Sequence, residues 1–328
     1  MSPPTLAPPY PKSPPEGLDQ ASVSYLALSY ELYPPRNTTA NTHLWDTIRR
    51  LETTAPDFVS VTYGSSGSNR DIAVGLLDRL RHETTLKPLA HLTCTGADRT
   101  TLAGIVDELI TSGVRGVLAL RGDRMDDEQT PSHGLRYAQQ LVELIRQVER
   151  RRAAELCAGR LAVGVAAYPV KHPESPSFSH DIEVLLAKQG SGADFAITQV
   201  FFQPGQYKSL VSAARRAGVV IPIIPGIMPL TNVRRLDRLV ELAGLEMDQK
   251  LRDQLISAGD RGDQQRMGIR ATVDLISDVL DSGAPGLHLY TFNEHSAALE
   301  VLEQLDLKRP HTATTRRQKT TTQTGTRP

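Results

Sequence analysis

Hydrophobic positions in this chain alternate between two textures. Short continuous apolar or β-branched runs come first: "VSYLALSYEL", "FVSVTYG", "PLAHLTC", "GVLALRGD", "LAVGVAAYP", "FAITQVFF", "IPIIPGIMP" and "GLHLYTFN". Between them lie segments whose apolar residues recur every three or four positions. In "TTLAGIVDELITSG", Leu102, Ile105, Val106, Leu109 and Ile110 share one helical face, and Gly113 ends the pattern. Gly218 and Gly283 stop two further helices in the same way. A long helical pair is expected from Val233 to Gly283.

Eight strand-then-helix units imply parallel strands, and eight is the number that closes a (β/α)8 TIM barrel. Near-continuous apolar strands fit a sheet covered on both faces. No Gly-x-Gly-x-x-Gly follows the first strand, which removes the best support for a Rossmann fold. The fold class is therefore α/β, a single TIM barrel over residues 21–308, with a Pro-rich disordered tail at 1–20 and a Thr/Arg-rich disordered tail at 309–328.

Composition narrows the function by exclusion. Hydrophobic residues make up 39% of the 328 residues, enough for one large core. Lys plus Arg and Asp plus Glu number 37 each, so no global field points to nucleic acid or an anionic membrane. No apolar run approaches the roughly 18 residues that span a bilayer. The N-terminus lacks the basic and apolar regions of a signal peptide. Cys94 and Cys157 have neither metal-type nor disulfide-type spacing, so a reducing cytoplasm and no metal are expected. The histidines, including His43, His133 and His288, read as surface or packing residues, and Trp45 as core.

In a TIM barrel, functional groups gather where strands end and βα loops begin. The strand ends here carry Glu31, Thr62, His91, Arg121-Gly122-Asp123, Tyr168 with His172 beyond it, Gln199, and Tyr290 with Asn293. Any one could be a polar cap; the whole ring is better explained as a site. Glu31 stands just before Pro34 and Pro35, which fix the chain after the first strand. Its plain alternative is a rim salt bridge to Arg36.

The motifs "YELYPPR", "FVSVTYG", "AHLTC", "LRGD", "AAYPVKHPE", "AITQVFF", "IIPGIMP" and "LHLYTFN", in that order, resemble methylenetetrahydrofolate reductase, in its short bacterial form. The resemblance covers Val23 to Leu305. It implies reduction of 5,10-methylenetetrahydrofolate to 5-methyltetrahydrofolate, which supplies methyl groups for methionine synthesis. By the same resemblance Glu31 is the general acid that opens the substrate ring to an iminium. Asp123 would contact the pterin and tune the charge beside it, and Gln199, Leu239 and Tyr290 would line the folate site. FAD would be held by Thr62, His91, Leu120, Arg121, Gly122, Asp123, Tyr137, Ala166, Tyr168, His172, Asp181 and Lys188, with NADH or NADPH as hydride donor.

The chain departs from the family pattern in places. Val184 and Ala187 stand where relatives tend to carry an amide and a second basic group, and Glu294 replaces an arginine. Two hydride routes therefore stay open, through FAD or directly from the reduced nicotinamide. The resemblance also implies a folate substrate, a homo-oligomer, and no nucleic-acid or membrane partner. A non-catalytic paralogue that keeps the barrel and a pterin site is the alternative to an enzyme.

Overall fold

The structure is a computed structural model that describes residues 26–62, 67–122, 134–156, 159–305 and 307. Both expected tails and Asp123 lie outside the described residues. The strands run β1 (Ala27–Leu32), β2 (Phe58–Val61), β3 (Pro88–Thr93), β4 (Gly116–Leu120), β5 (Ala162–Ala167), β6 (Phe195–Thr198), β7 (Ile223–Ile224), β8 (Gly226–Ile227) and β9 (Gly286–Tyr290). Every pairing between these strands is parallel, in the order β7-β6-β5-β4-β3-β2-β1-β9-β8.

The seventh barrel position is a broken strand. Pro225 has no N–H to give a ladder, so β7 pairs with β6 and β8 pairs with β9. The Pro225 carbonyl still accepts from the His288 N–H at 3.0 Å, and the Gly226 N–H turns to the Thr198 hydroxyl at 2.9 Å. The ring therefore closes around the proline as an eight-stranded (β/α)8 barrel.

The helices are α1 (Thr38–Glu52), α2 (Gly67–Glu83), α3 (Arg99–Thr111), α4 (Ala138–Arg151), α5 (Phe178–Gly190), α6 (Pro204–Arg216), α7 (Val233–Ala243), α8 (Gln249–Ser257), α9 (Arg261–Asp281) and α10 (His295–Gln304). The stretch expected to hold two helices from Val233 to Gly283 holds three. Asp248 and Asp260 each cap a new start, accepting the N–H of Leu251 and Asp263. Asn37, Asp98, Ser177 and Asn232 cap others in the same way.

Strand alternation divides the side chains into two sets. Outward residues such as Leu28, Tyr30 and Leu32 join Leu44, Ile48 and Leu51 of α1 in the main core between strands and helices. Inward residues Phe58, Leu89, Leu118, Phe195, Ile197 and Ile224 form a separate plug inside the barrel. Further along the same inward rows, toward the C-terminal ends of the strands, the residues turn polar. Trp45 is half-buried: it packs on the main core, and the Arg79 guanidinium lies 3.9 Å from its ring centre.

Candidate active site

The polar layer starts from the two-residue period of a strand. Ser29 and Glu31 share the inward face of β1, and His288 and Tyr290 share that of β9. Register places Glu31 beside Ser60 of β2 and Tyr290 of β9. His91 enters from β3, its Nε2 3.7 Å from Glu31 Oε2. Ser29 Oγ lies 2.8 Å from His288 Nδ1.

Burial sets the protonation of this layer. It pushes the Glu31 carboxyl up to about 7, against a smaller lowering by the neighbouring Tyr33 hydroxyl. His91 is pushed down to about 4, and His288 to about 3 by burial and by the neighbouring His91. The imidazoles are neutral at neutral pH, and Glu31 holds or yields a proton there. A buried carboxyl poised near neutrality in a barrel mouth is suited to general-acid work. Arg36 is exposed and forms no ion pair with Glu31 among the described residues, so the rim salt bridge is replaced by the contact with His91.

Several buried polar atoms in this layer lack a protein partner: Ser60 Oγ, Thr62 Oγ1, His91 Nε2 and His288 Nε2. Unsatisfied groups at one barrel mouth mark a place where solvent or a polar ligand completes the bonding. A cavity of about 340 Å³ exists at the opposite end, lined by residues at strand starts such as Asp57, Pro88, Gly116 and Ala162. It is remote from this chemistry, and TIM-barrel sites belong to the other face.

A second group of expected residues meets at the ends of β4 and β5. The Lys188 ammonium reaches up from α5, is buried, and donates to the Ala166 carbonyl at 2.8 Å. Burial pushes it down to about 8, while Asp181 pulls the other way. Asp181 accepts the His172 N–H at 3.0 Å, and the His172 ring meets Tyr168 edge-on at 4.6 Å between centres. Arg121 pairs with Glu174 at 2.6 Å. Gly122 has φ 87°, and a Cβ there would fall 2.0 Å from Thr95 Oγ1, so only glycine allows the turn. Leu120 packs on the barrel plug, and Tyr137 caps α4 at 57% exposure, away from the buried cluster.

Two cations, one carboxylate and the unpartnered Thr62 Oγ1 and His91 Nε2 fit a dinucleotide such as FAD: charge for a pyrophosphate, polar edges for a ring. Among the described residues no cluster of His, Cys, Asp or Glu fits a metal ion.

The expected folate-side residues are only partly gathered. Gln199 ends β6 and spends its Oε1 on the Val200 N–H at 2.9 Å. The Tyr290 hydroxyl donates to the Thr198 carbonyl at 2.9 Å. Leu239 of α7 sits in a third apolar cluster with Val200, Met228, Leu230 and Leu236, and Tyr290 packs at its edge. A cavity of about 250 Å³ adjoins it, lined by Phe202, Met228, Leu230, Leu239 and Leu251 among others.

Sequence reasoning passed over Ser29, Tyr33, Ser60 and His288 as members of the site. The two-residue strand period could have found two of these, since Ser29 precedes Glu31 and His288 precedes Tyr290 on the same faces. His288, expected at the surface or in packing, is buried in the barrel and bonded to Ser29.

Comparison with known proteins identifies the family. The family model described as "Methylenetetrahydrofolate reductase" matches residues 18–306. The 5,10-methylenetetrahydrofolate reductase of Pectobacterium carotovorum subsp. carotovorum is 30% identical over 282 residues, spanning 86% of this chain and 90% of that protein. Its Escherichia coli (strain K12) namesake is 29% identical over 282 residues, 86% and 91% of the two chains. Among solved structures, a Clostridium thermocellum protein that binds two copies of 5-methyl-5,6,7,8-tetrahydrofolic acid superposes with a TM-score of 0.59 at 12% identity. The match covers 85% of this chain and 94% of that one, and at that identity it speaks for the fold alone.

Proposed function

This chain belongs to the methylenetetrahydrofolate reductase family, and we propose that it reduces 5,10-methylenetetrahydrofolate with Glu31 as the acid and a reduced nicotinamide as the source of hydride. The observation that carries the reading is the buried Glu31 carboxyl at the end of β1, poised near pH 7 beside a neutral His91.

The substrate bridges two nitrogens through one methylene carbon. Hydride cannot add until one carbon–nitrogen bond breaks. Glu31 gives its proton to the departing amine nitrogen; that bond breaks, leaving an iminium at the other nitrogen. Hydride then reaches the methylene carbon, forming the methyl group. The donor leaves as oxidised nicotinamide, and Glu31 regains a proton from solvent. Glu31 must be protonated to begin, which its burial-raised pKa permits at neutral pH.

Arg121, His172, Asp181 and Lys188, with Thr62 and His91 at the ring end, are the residues that would hold a dinucleotide. When bound, FAD would relay hydride from NADH or NADPH to the substrate. Gln199, Tyr290 and Leu239 would line the folate; Leu239 lines the cavity beyond β6, and Tyr290 packs against the same apolar cluster. The family match and the named relatives support the choice of ligand class. The product would supply methyl groups for methionine synthesis.

The purified protein tests this directly. With NADH and methylenetetrahydrofolate, with and without added FAD, 5-methyltetrahydrofolate should form in step with NADH loss. No product under any combination would return the chain to a barrel that binds without reacting.

A further inference from the structure

The last rung that holds the end of β1 is made by a side chain. Ala27, Ser29 and Glu31 face Gly286, His288 and Tyr290 in the parallel register, and β9 ends at Tyr290. Tyr33 comes next in that alternation, one step beyond the end of its partner strand. Pro34 and Pro35 follow it, and with no N–H neither can donate to a ladder further on. Asn293 fills the gap. Its Oδ1 accepts the Tyr33 N–H at 2.9 Å, and its Nδ2 donates to the Tyr33 carbonyl at 2.9 Å. A carboxamide carries the same donor and acceptor as a peptide unit, so this side chain stands in for the missing rung.

Placing Asn293 there strains the turn that carries it. Phe292 and Asn293 sit at φ 54° and 60°, two successive non-glycine residues in the left-handed region. Asparagine tolerates this region; for phenylalanine it is an outlier, kept only where the surroundings over-determine it. They do so here. Thr47 Oγ1 donates to the Asn293 carbonyl at 2.9 Å, and the Glu294 N–H donates to the Thr291 carbonyl at 3.0 Å. The Phe292 ring stacks on Tyr33 with centres 5.6 Å apart, and the Arg235 guanidinium lies 5.4 Å from the Phe292 centre. Thr291 Oγ1 donates to the Glu31 carbonyl at 2.9 Å. From the other side, the Thr62 N–H just past β2 donates to the Leu32 carbonyl at 3.0 Å. Three successive residues, Glu31, Leu32 and Tyr33, are thus each tied through their backbone.

We propose that Asn293 is a positioning residue for Glu31: its carboxamide extends the β1–β9 ladder by one rung and, with Thr291, fixes the strand end from which the Glu31 carboxyl projects. Glu31 is the last inward-facing residue of β1, so any peeling of the strand end displaces its carboxyl first. Without Asn293 the chain from Tyr33 through the two prolines has no rung on the β9 side. A strained turn is then the means by which the last strand of the barrel holds the first one in place. Asn293 and Thr291 touch the backbone of β1 and act on the reacting groups only through Glu31.

This inference rests on the acid role of Glu31 for its catalytic meaning, and the test separates the two. Asn293→Gly removes the carboxamide and leaves a residue at ease with positive φ. Thr291→Val removes the hydroxyl that bonds the Glu31 carbonyl and keeps the side-chain shape. Rapid mixing compares the folate step in wild type, in each variant, in Glu31→Gln and in each double variant. Each single variant should slow the step by about tenfold or more with nucleotide affinity unchanged. Once Glu31 is already glutamine, the same changes should cost less than about twofold. Equal losses in both backgrounds would mean that the turn merely supports the barrel, and would overturn the proposal. Wild-type rates in folded Asn293→Gly and Thr291→Val, beside a slow Glu31→Gln, would overturn it too. Infrared spectra at about pH 5, where Glu31 holds its proton, read the carboxyl without turnover. Its C=O band, assigned by its loss in Glu31→Gln, should shift or broaden in Asn293→Gly, and an unmoved band overturns the positioning. A moved band beside a Glu31→Gln that keeps the wild-type rate upholds the positioning and removes the acid role.

Discussion

His91 Nε2 stands 3.7 Å from Glu31 Oε2, too far for a hydrogen bond and close enough for either group to sense the charge of the other. Burial moves their pKa values past each other, Glu31 up to about 7 and His91 down to about 4. Between those values the neutral pair, a carboxylic acid beside an imidazole, is the favoured state. The kcat/KM for folate reduction should therefore be level below neutrality and fall above about pH 7, as the Glu31 proton is lost. His91→Leu removes a polar neighbour that can stabilise the carboxylate, so the falling limb should move upward. A pH–rate profile of both forms checks this, and a limb near pH 4–5 in the wild type would contradict it.

The same groups govern stability with opposite signs. Glu31 binds its proton more tightly in the folded state, so its contribution is full below about pH 4.5 and is lost as pH rises toward 7. His91 and His288 have depressed folded values; their contribution is present above about pH 6.5 and is lost as pH falls toward 4 and 3. Glu31→Gln should consequently be more stable than wild type at pH 8, by on the order of 3 kcal/mol, and nearly equal at pH 4. Urea denaturation at the two pH values reads this out. Equal stabilities at pH 8 would mean that the buried carboxylate carries no penalty.

Lys188 is spent on the Ala166 carbonyl while lying beside Asp181 and Arg121. If it serves a pyrophosphate, Lys188→Met should weaken binding of the dinucleotide, FAD or NADH, by roughly tenfold or more. The variant keeps the length of the side chain and removes a buried charge, so the fold should survive. Equilibrium dialysis of wild type and variant against each nucleotide tests this. Unchanged dissociation constants for both would assign Lys188 to holding β5 in place.

Gly226 sits where a Cβ would lie 2.2 Å from the Thr198 carbonyl oxygen and 2.7 Å from the Tyr290 ring. Thr198 is tied to this spot by bonds from Gly226 and from the Tyr290 hydroxyl. Backbone cannot step aside cheaply, so Gly226→Ala should cost about 3 kcal/mol or more and displace Tyr290. Calorimetry and the kinetic constants together check it: Tm should fall and KM for folate should rise.

The barrel was legible because its strands are continuous apolar runs and its helices keep a one-face period; neither signal depends on distant contacts. The rim residues Glu31, His91 and Lys188 were legible as strand-end or motif positions. What escaped depends on contacts across the sequence. Pro225 splits a strand because of what lies on each side of it in the closed ring, which no local pattern reveals. Asp248 and Asp260 cap helices in a stretch whose apolar spacing alone suggests two long helices. The burial of Lys188 escaped as well, because it arises only when α5 folds the side chain under the end of β5. The clasp between Tyr33 and Asn293 joins residues 260 positions apart, and "YTFN" carries no sign of two left-handed residues.

The central claim is that Glu31 supplies the proton that opens the folate ring, and Glu31→Gln isolates it, since the amide keeps the shape of the carboxyl and cannot donate an acidic proton. Rapid-mixing measurement of 5-methyltetrahydrofolate formation, beside nucleotide affinity on the same preparations, tests it most directly. The account predicts a loss of about 10²-fold or more in the folate step with nucleotide binding unchanged. Folate reduction at the wild-type rate in Glu31→Gln would contradict it and move the proton source to another group of the barrel mouth.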